Sequence, residues 1–84
     1  MKAVSYSRDA QKTLLKLPSN LSRLIRTKIV QYASDPASLG ANLKPLKGRP
    51  GCKRLRVGDW RIIFSEDGTV IAIIEIGPRG GIYD

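Results

Sequence analysis

Two β-rich stretches, Lys53 to Val57 and Trp60 to Ser65, are separated by only Gly58 and Asp59. A Gly-X pair between such segments allows little other than a tight antiparallel hairpin, because glycine supplies the positive φ that the first turn position needs. The turn also fixes the register: Val57 should face Trp60, Arg56 should face Arg61, Leu55 should face Ile62 and Arg54 should face Ile63. Because side chains alternate, Leu55, Val57, Trp60, Ile62 and Phe64 share one face, the one expected to pack on the rest of the chain. Arg54, Arg56 and Arg61 share the other.

The remaining segments arrange themselves around this hairpin. Ala3 to Tyr6 alternates and stops at Ser7, which predicts a short strand followed by a helix capped by Ser7. Ala10, Leu14 and Leu17 form one apolar face of that helix, and Pro18 ends it. Pro18, Ser19 and Asn20 make a break and a new cap, after which Leu21, Leu24, Ile25, Ile29, Tyr32 and Ala33 recur at helical spacing until Asp35-Pro36. From Asp35 to Gly51 every pattern is interrupted, and Lys44-Pro45-Leu46-Lys47-Gly48-Arg49-Pro50 reads as a basic surface loop able to touch a phosphate backbone. Glu66-Asp67-Gly68 is a second turn, and Thr69 to Ile76 returns as an apolar strand central in the sheet. A three-residue loop there pairs Ser65 with Thr69 and Arg61 with Ile73. That register sets Glu75 diagonal to Arg61 and puts Ile63, Ile71 and Ile73 on the arginine-bearing face. The whole reads as one α+β domain spanning residues 1–84, an N-terminal strand and a helical hairpin packed on one face of a small antiparallel sheet.

Composition narrows the chemistry. With 15 Lys and Arg against 7 Asp and Glu, the net charge of +8 attracts phosphate polymers or acidic protein partners. There is no histidine, and Cys52 is the one cysteine, so a histidine base, a Ser-His-Asp triad and a His/Cys zinc centre are all excluded. The lone cysteine suits a reducing cytosol. Asp59 and Asp67 read as turn residues and Glu75 as a local charge partner, so neither a two-carboxylate metal site nor any other cofactor is expected. The N-terminus lacks the apolar core of a signal peptide, and the longest apolar run, Val70 to Ile74, is too short to cross a bilayer. Neither export nor a membrane partner is expected, which leaves the cytoplasm.

Like charges placed opposite one another on a hairpin cost a few tenths to about 1 kcal/mol, so Arg56 across from Arg61 with Arg54 alongside works against folding. Two readings account for them. Rigid strands could hold guanidinium forks toward an absent phosphate, or the long side chains could splay into solvent for solubility. Trp60 belongs to the core face, and Cys52 fills space at the strand start.

The run Arg54-Leu55-Arg56-Val57-Gly58-Asp59-Trp60-Arg61-Ile62-Ile63-Phe64 is followed by an acidic turn, an apolar strand and Gly77-Pro78-Arg79 leading to Tyr83. It resembles the C-terminal half of RelE/ParE-superfamily toxins, whose element order matches essentially the whole chain. The resemblance implies the toxin of a type II toxin–antitoxin pair. For the RelE branch it implies a ribosome-dependent, metal-independent mRNA endonuclease, which cuts by 2′-hydroxyl attack on the adjacent phosphate. Its partners would be the ribosome, mRNA and a cognate antitoxin, with operator DNA reached only through the antitoxin complex. By the same resemblance Arg54 and Arg56 occupy the basic positions of the first hairpin strand, Arg61 the arginine after the aromatic, Arg79 the arginine after the last strand and Tyr83 the C-terminal tyrosine. The chain departs from many relatives in carrying Pro78 where they have histidine or lysine. Arginine clamps phosphate well but is a poor base, so Arg56 and Arg61 are read as phosphate clamps and Arg79 as phosphorane stabiliser or proton donor. Tyr83 is then base or orienter and Arg54 a positioning cation, with Lys44, Lys47, Arg49 and Lys53 as further phosphate contacts. The same scaffold leaves two alternatives, a ParE-like gyrase poison and a degenerate co-repressor that only binds its antitoxin.

Overall fold

The computed structural model describes residues 1–80. In chain order the elements are β1 (Ala3–Tyr6), α1 (Arg8–Lys16), α2 (Ser19–Ser34), a 3₁₀ segment (Pro36–Asn42), β2 (Leu43–Pro45), β3 (Cys52–Val57), β4 (Trp60–Glu66) and β5 (Val70–Pro78). The strands form one sheet in the order β1-β5-β4-β3-β2. No helix is long and apolar enough to cross a membrane among the described residues.

Helix α1 begins as its sequence dictates. The Ser7 hydroxyl oxygen accepts from the Ala10 amide at 3.0 Å, and Pro18 follows soon after the last turn. Within the expected break at Pro18, Ser19 and Asn20, Pro18 takes the capping position of helix α2 and contributes no side-chain bond. The Pro18 carbonyl accepts instead from the amides of Leu21 and Ser22, both at 3.0 Å. The supposed loop from Asp35 to Gly51 is partly ordered, since it holds the 3₁₀ segment and β2. Leu43, Lys44 and Pro45 pair with Leu55, Arg54 and Lys53, and Pro45 is tolerated because β2 is an edge strand.

The sheet is mixed rather than wholly antiparallel, for β1 runs parallel to β5, pairing Ala3 with Val70 and Tyr6 with Ile73. Alternation along Ala3 to Tyr6 marks a strand but carries no information about its partner's direction. The β3–β4 hairpin has the predicted register throughout, from Val57 opposite Trp60 to Arg54 opposite Ile63. Gly58 takes the first turn position at φ +59°.

The β4–β5 pairing departs from the expected register. β4 continues to Glu66, which faces Ile71, while Ser65 faces Ala72 and Phe64 faces Ile73. The Asp67 carboxylate sets this wider loop by accepting from the Thr69 and Val70 amides, both at 2.7 Å, and from the Thr69 hydroxyl at 3.1 Å. Beyond Phe64 a bulge inserts Ile74, so that Ile63 faces Glu75, Ile62 faces Ile76 and Arg61 faces Gly77. A bulged residue lacks its ladder partner, and here the Ser7 hydroxyl donates to the Ile74 carbonyl at 2.5 Å. The extra residue shifts the phase of the strand. Ile71 and Ile73 therefore turn into the core instead of onto the arginine face, and Ile76 joins them there. Glu75 and Gly77 stay on the arginine face, Glu75 still diagonal to Arg61, and Ile63 alone of the three expected isoleucines lies there, fully buried.

The core fills the space between the helices and the other face of the sheet. Ala10 and Leu14 from α1 and Ile25, Ile29, Tyr32 and Ala33 from α2 meet Leu55, Val57, Ile62 and Phe64 from the hairpin. At roughly 1.5–3 kcal/mol per fully buried large apolar side chain, this face dominates stability. Tyr32 and Phe64 rings pack tilted by 59° with centroids 5.0 Å apart, and half-buried Trp60 lies against the same cluster as predicted.

Candidate functional site

Strand order brings the basic residues of four segments together on the face away from the helices. Lys44 on β2 stands beside Arg54 on β3, Arg56 stands opposite Arg61 on β4, and Arg79 follows the end of β5. Together with Ala41 and Asn42 they line a cleft of about 400 Å³, so five of its seven described lining residues are cations and none is a carboxylate.

The turn organises two of these cations through three consecutive carbonyls. Arg61 is only 7% exposed, and its Nη1 donates to the carbonyls of Gly58 at 3.1 Å and Trp60 at 3.2 Å. Between them, the Asp59 carbonyl accepts from the Arg79 backbone amide at 2.7 Å, which docks the end of β5 onto the turn. A buried guanidinium is tolerated because carbonyl dipoles replace part of its hydration. Arg56 across from it is exposed, and Arg54 is half-buried.

Of the residues read from sequence, Arg54, Arg56, Arg61, Arg79 and Lys44 converge on the cleft. Lys47 and Arg49 sit in the β2–β3 connection and are not among its lining residues. Lys53 is a correction. It pairs across the hairpin with Phe64 on the helix side, where its ammonium lies 2.9 Å from Glu66 Oε1. Tyr83 falls outside the described residues. Pro78 faces Trp60 rather than lining the cleft, so the departure from the toxin pattern lies beside it. Asn42 and Ala41 are lining residues that sequence reasoning missed. The β2–β3 pairing that places them was hidden in a stretch read as loop.

Glu66 gathers a polar cluster on the helix side. Lys2 Nζ lies 2.8 Å from Oε2, Lys53 reaches Oε1, and the Tyr32 hydroxyl donates to Oε1. Burial by itself would raise the carboxyl's pKa, but hydrogen bonds from Lys2, Tyr32 and Lys53 outweigh it and hold Glu66 at about 2. Burial, then the bond to Glu66 and its charge, push the Tyr32 phenol above its ordinary value. Cys52 is half-buried with a free thiol. Among the described residues no three histidine, cysteine or carboxylate side chains gather in a metal-binding group.

The family model for the ParE toxin of type II toxin–antitoxin system, parDE, matches residues 4–83. The chain belongs to this family, within the RelE/ParE superfamily. No curated protein matches it. Solved structures agree with the fold of this ParE-family toxin. It is similar to a chain of the archaeal RelE–RelB complex from Pyrococcus horikoshii OT3, with 26% identity, TM-score 0.78, and 95% of this chain and 97% of that one covered. It is also similar to a chain of the intact E. coli RelBE toxin–antitoxin complex, at 22% identity and TM-score 0.76 over 93% and 96% of the two chains. YafQ from E. coli strain BL21(DE3) matches along 100% of both chains at 15% identity and TM-score 0.75. At the lower identities the likeness speaks for the fold alone.

Proposed function

We propose that this ParE-family toxin acts in the cytoplasm as a metal-independent endonuclease of ribosome-bound mRNA, working as one domain over residues 1–84. The observation that carries the reading is the cleft with five cations and no carboxylate among its described lining residues. A phosphodiester brings one negative charge, and the phosphorane formed on attack brings a second, so convergent guanidinium groups favour the transition state over the ground state. The 2′-oxygen forms a bond to phosphorus while the bond to the 5′-oxygen breaks, leaving a 2′,3′-cyclic phosphate and a 5′-hydroxyl. Arg56 and Arg61 clamp the phosphate, Arg54 and Lys44 position it, Arg79 meets the growing charge or the leaving oxygen, and Tyr83 takes or orients the 2′-proton. Arginine is a poor base, and the ribosome's alignment of the 2′-oxygen supplies several kcal/mol that the toxin lacks.

The similar RelE chains were solved in complexes with RelB antitoxins, which supports a cognate antitoxin here. An acidic antitoxin segment laid against Arg54, Arg56 and Arg61 would silence the cleft, and operator DNA would be reached only through that complex. The match to the ParE model favours a second reading, a gyrase poison that needs no nuclease residues. Induction of the wild type and of Arg61→Ala and Tyr83→Phe variants, with mapping of mRNA ends, separates the two. Codon-phased cuts that vanish in the variants support the endonuclease. Intact mRNA with broken DNA supports gyrase poisoning.

A further inference from the structure

Cations that grip a phosphodiester carry no information about the base attached to it. A base preference in this cleft has to come from a different kind of group on its wall. Lys44, Arg54, Arg56, Arg61 and Arg79 bring side chains that only donate hydrogen bonds, and Ala41 brings a methyl group. Among the described lining residues Asn42 alone brings a side-chain acceptor. Its amide is also held in a set orientation, since Nδ2 donates to the Arg56 carbonyl at 3.2 Å and so leaves Oδ1 at the opposite corner. Topology makes that tether. β2 pairs Leu43 with Leu55 and Lys44 with Arg54, so Asn42, at the end of the 3₁₀ segment, comes alongside Arg56. A fixed carbonyl oxygen thus belongs to the same cleft wall as the exposed Arg56.

We propose that Asn42 reads the base, its Oδ1 accepting a hydrogen bond from the exocyclic amino group of the nucleotide whose phosphate Arg56 holds. The assignment rests on the RNA-cleaving reading above. Single-stranded RNA leaves base edges open to such contacts. Cytosine offers an amino group where uracil has a carbonyl oxygen, and that oxygen would meet Oδ1 acceptor against acceptor. One charge-free hydrogen bond gained against one repulsive pair corresponds to a preference of about 5- to 10-fold for cytosine over uracil.

The test uses the purified full chain and short RNA oligomers with 2′-O-methyl riboses, which lack the attacking hydroxyl, differing only in C or U at the central position. The wild type should bind the C oligomer about 5- to 10-fold more tightly. Asn42→Ala should bring the ratio to within about 2-fold, the C oligomer binding less tightly and the U oligomer, still held by the cations and freed of the acceptor clash, binding as tightly as before or slightly more so. Asn42→Gln, which keeps the amide but displaces it by a methylene, should also lose the preference and serves if the alanine variant does not fold. A wild-type ratio near one, or a ratio unchanged in a folded variant, overturns the assignment even where mRNA ends are being cut. A cytosine preference that depends on Asn42 in a toxin that yields no mRNA ends upholds the assignment and sinks the nuclease reading instead.

Discussion

Arg56 and Arg61 face each other across one hairpin, yet Arg56 is exposed and Arg61 buried. Arg56→Ala removes one half of a like-charge pair from a solvated position, so stability should hold or rise by a few tenths to about 1 kcal/mol. Arg61→Ala leaves the Gly58 and Trp60 carbonyls without their guanidinium and should lower stability by about 1–3 kcal/mol. Both should cut mRNA cleavage by about 100-fold or more, so that urea denaturation combined with end mapping separates a phosphate contact from a phosphate contact that also braces the turn. Alternation was enough to place Arg54, Arg56 and Arg61 on one face. The same alternation assigns Lys53 to the opposite face, where its positive charge meets Glu66 instead of a phosphate. The burial of Arg61 had no signature in the residues around it, since it depends on where the Gly58 and Trp60 carbonyls point after the turn has formed.

Among the elements, the β3–β4 hairpin was readable in full because a two-residue turn admits one register. The β4–β5 hairpin was not, because the Asp67 side chain widens the loop and Ile74 is indistinguishable from its neighbours in a run of isoleucines. Gly58→Ala tests the first hairpin. A methyl group there meets no atom within 4 Å, so the cost is the backbone's own at φ +59°, about 1–2 kcal/mol by thermal or chemical unfolding. Ser7→Ala tests the second, since it removes both the α1 cap and the donor to the bulged Ile74 carbonyl, for a loss of about 2–3 kcal/mol. The Glu66 cluster ties β4 to Lys2, α2 and β3. Its carboxyl is held at about 2 in the folded chain against an ordinary 4.5, so on acidification the unfolded chain takes up the proton first. The cluster's contribution is complete above about pH 5 and fades as the pH falls toward 2. Denaturation midpoints should decline through that window in the wild type, and Glu66→Gln should flatten the decline while lowering stability near neutrality.

For the molecule as a whole, the sheet is a wall with an apolar interior on one side and a cationic cleft on the other. If the five lining cations neutralise three to five phosphates of single-stranded RNA, log K should fall against log salt with a slope of about −2 to −4. Arg54→Ala and Lys44→Ala should each reduce that slope by about 0.7. Chelation of divalent ions should leave cleavage by purified toxin on ribosomes programmed with mRNA unchanged, provided the ribosomes are kept assembled with polyamine; a loss restored by added metal would refute the proposed chemistry. The parallel pairing of β1 with β5, together with the Ser7 bonds to Ile73 and Ile74, also has a consequence for biosynthesis. The N-terminal strand finds its neighbour in the final strand of the sheet, a long-range closure of the kind that delays folding. A nascent chain therefore cannot assemble its cleft until translation has passed Arg79, so an unfinished copy presents only fragments of the cationic wall.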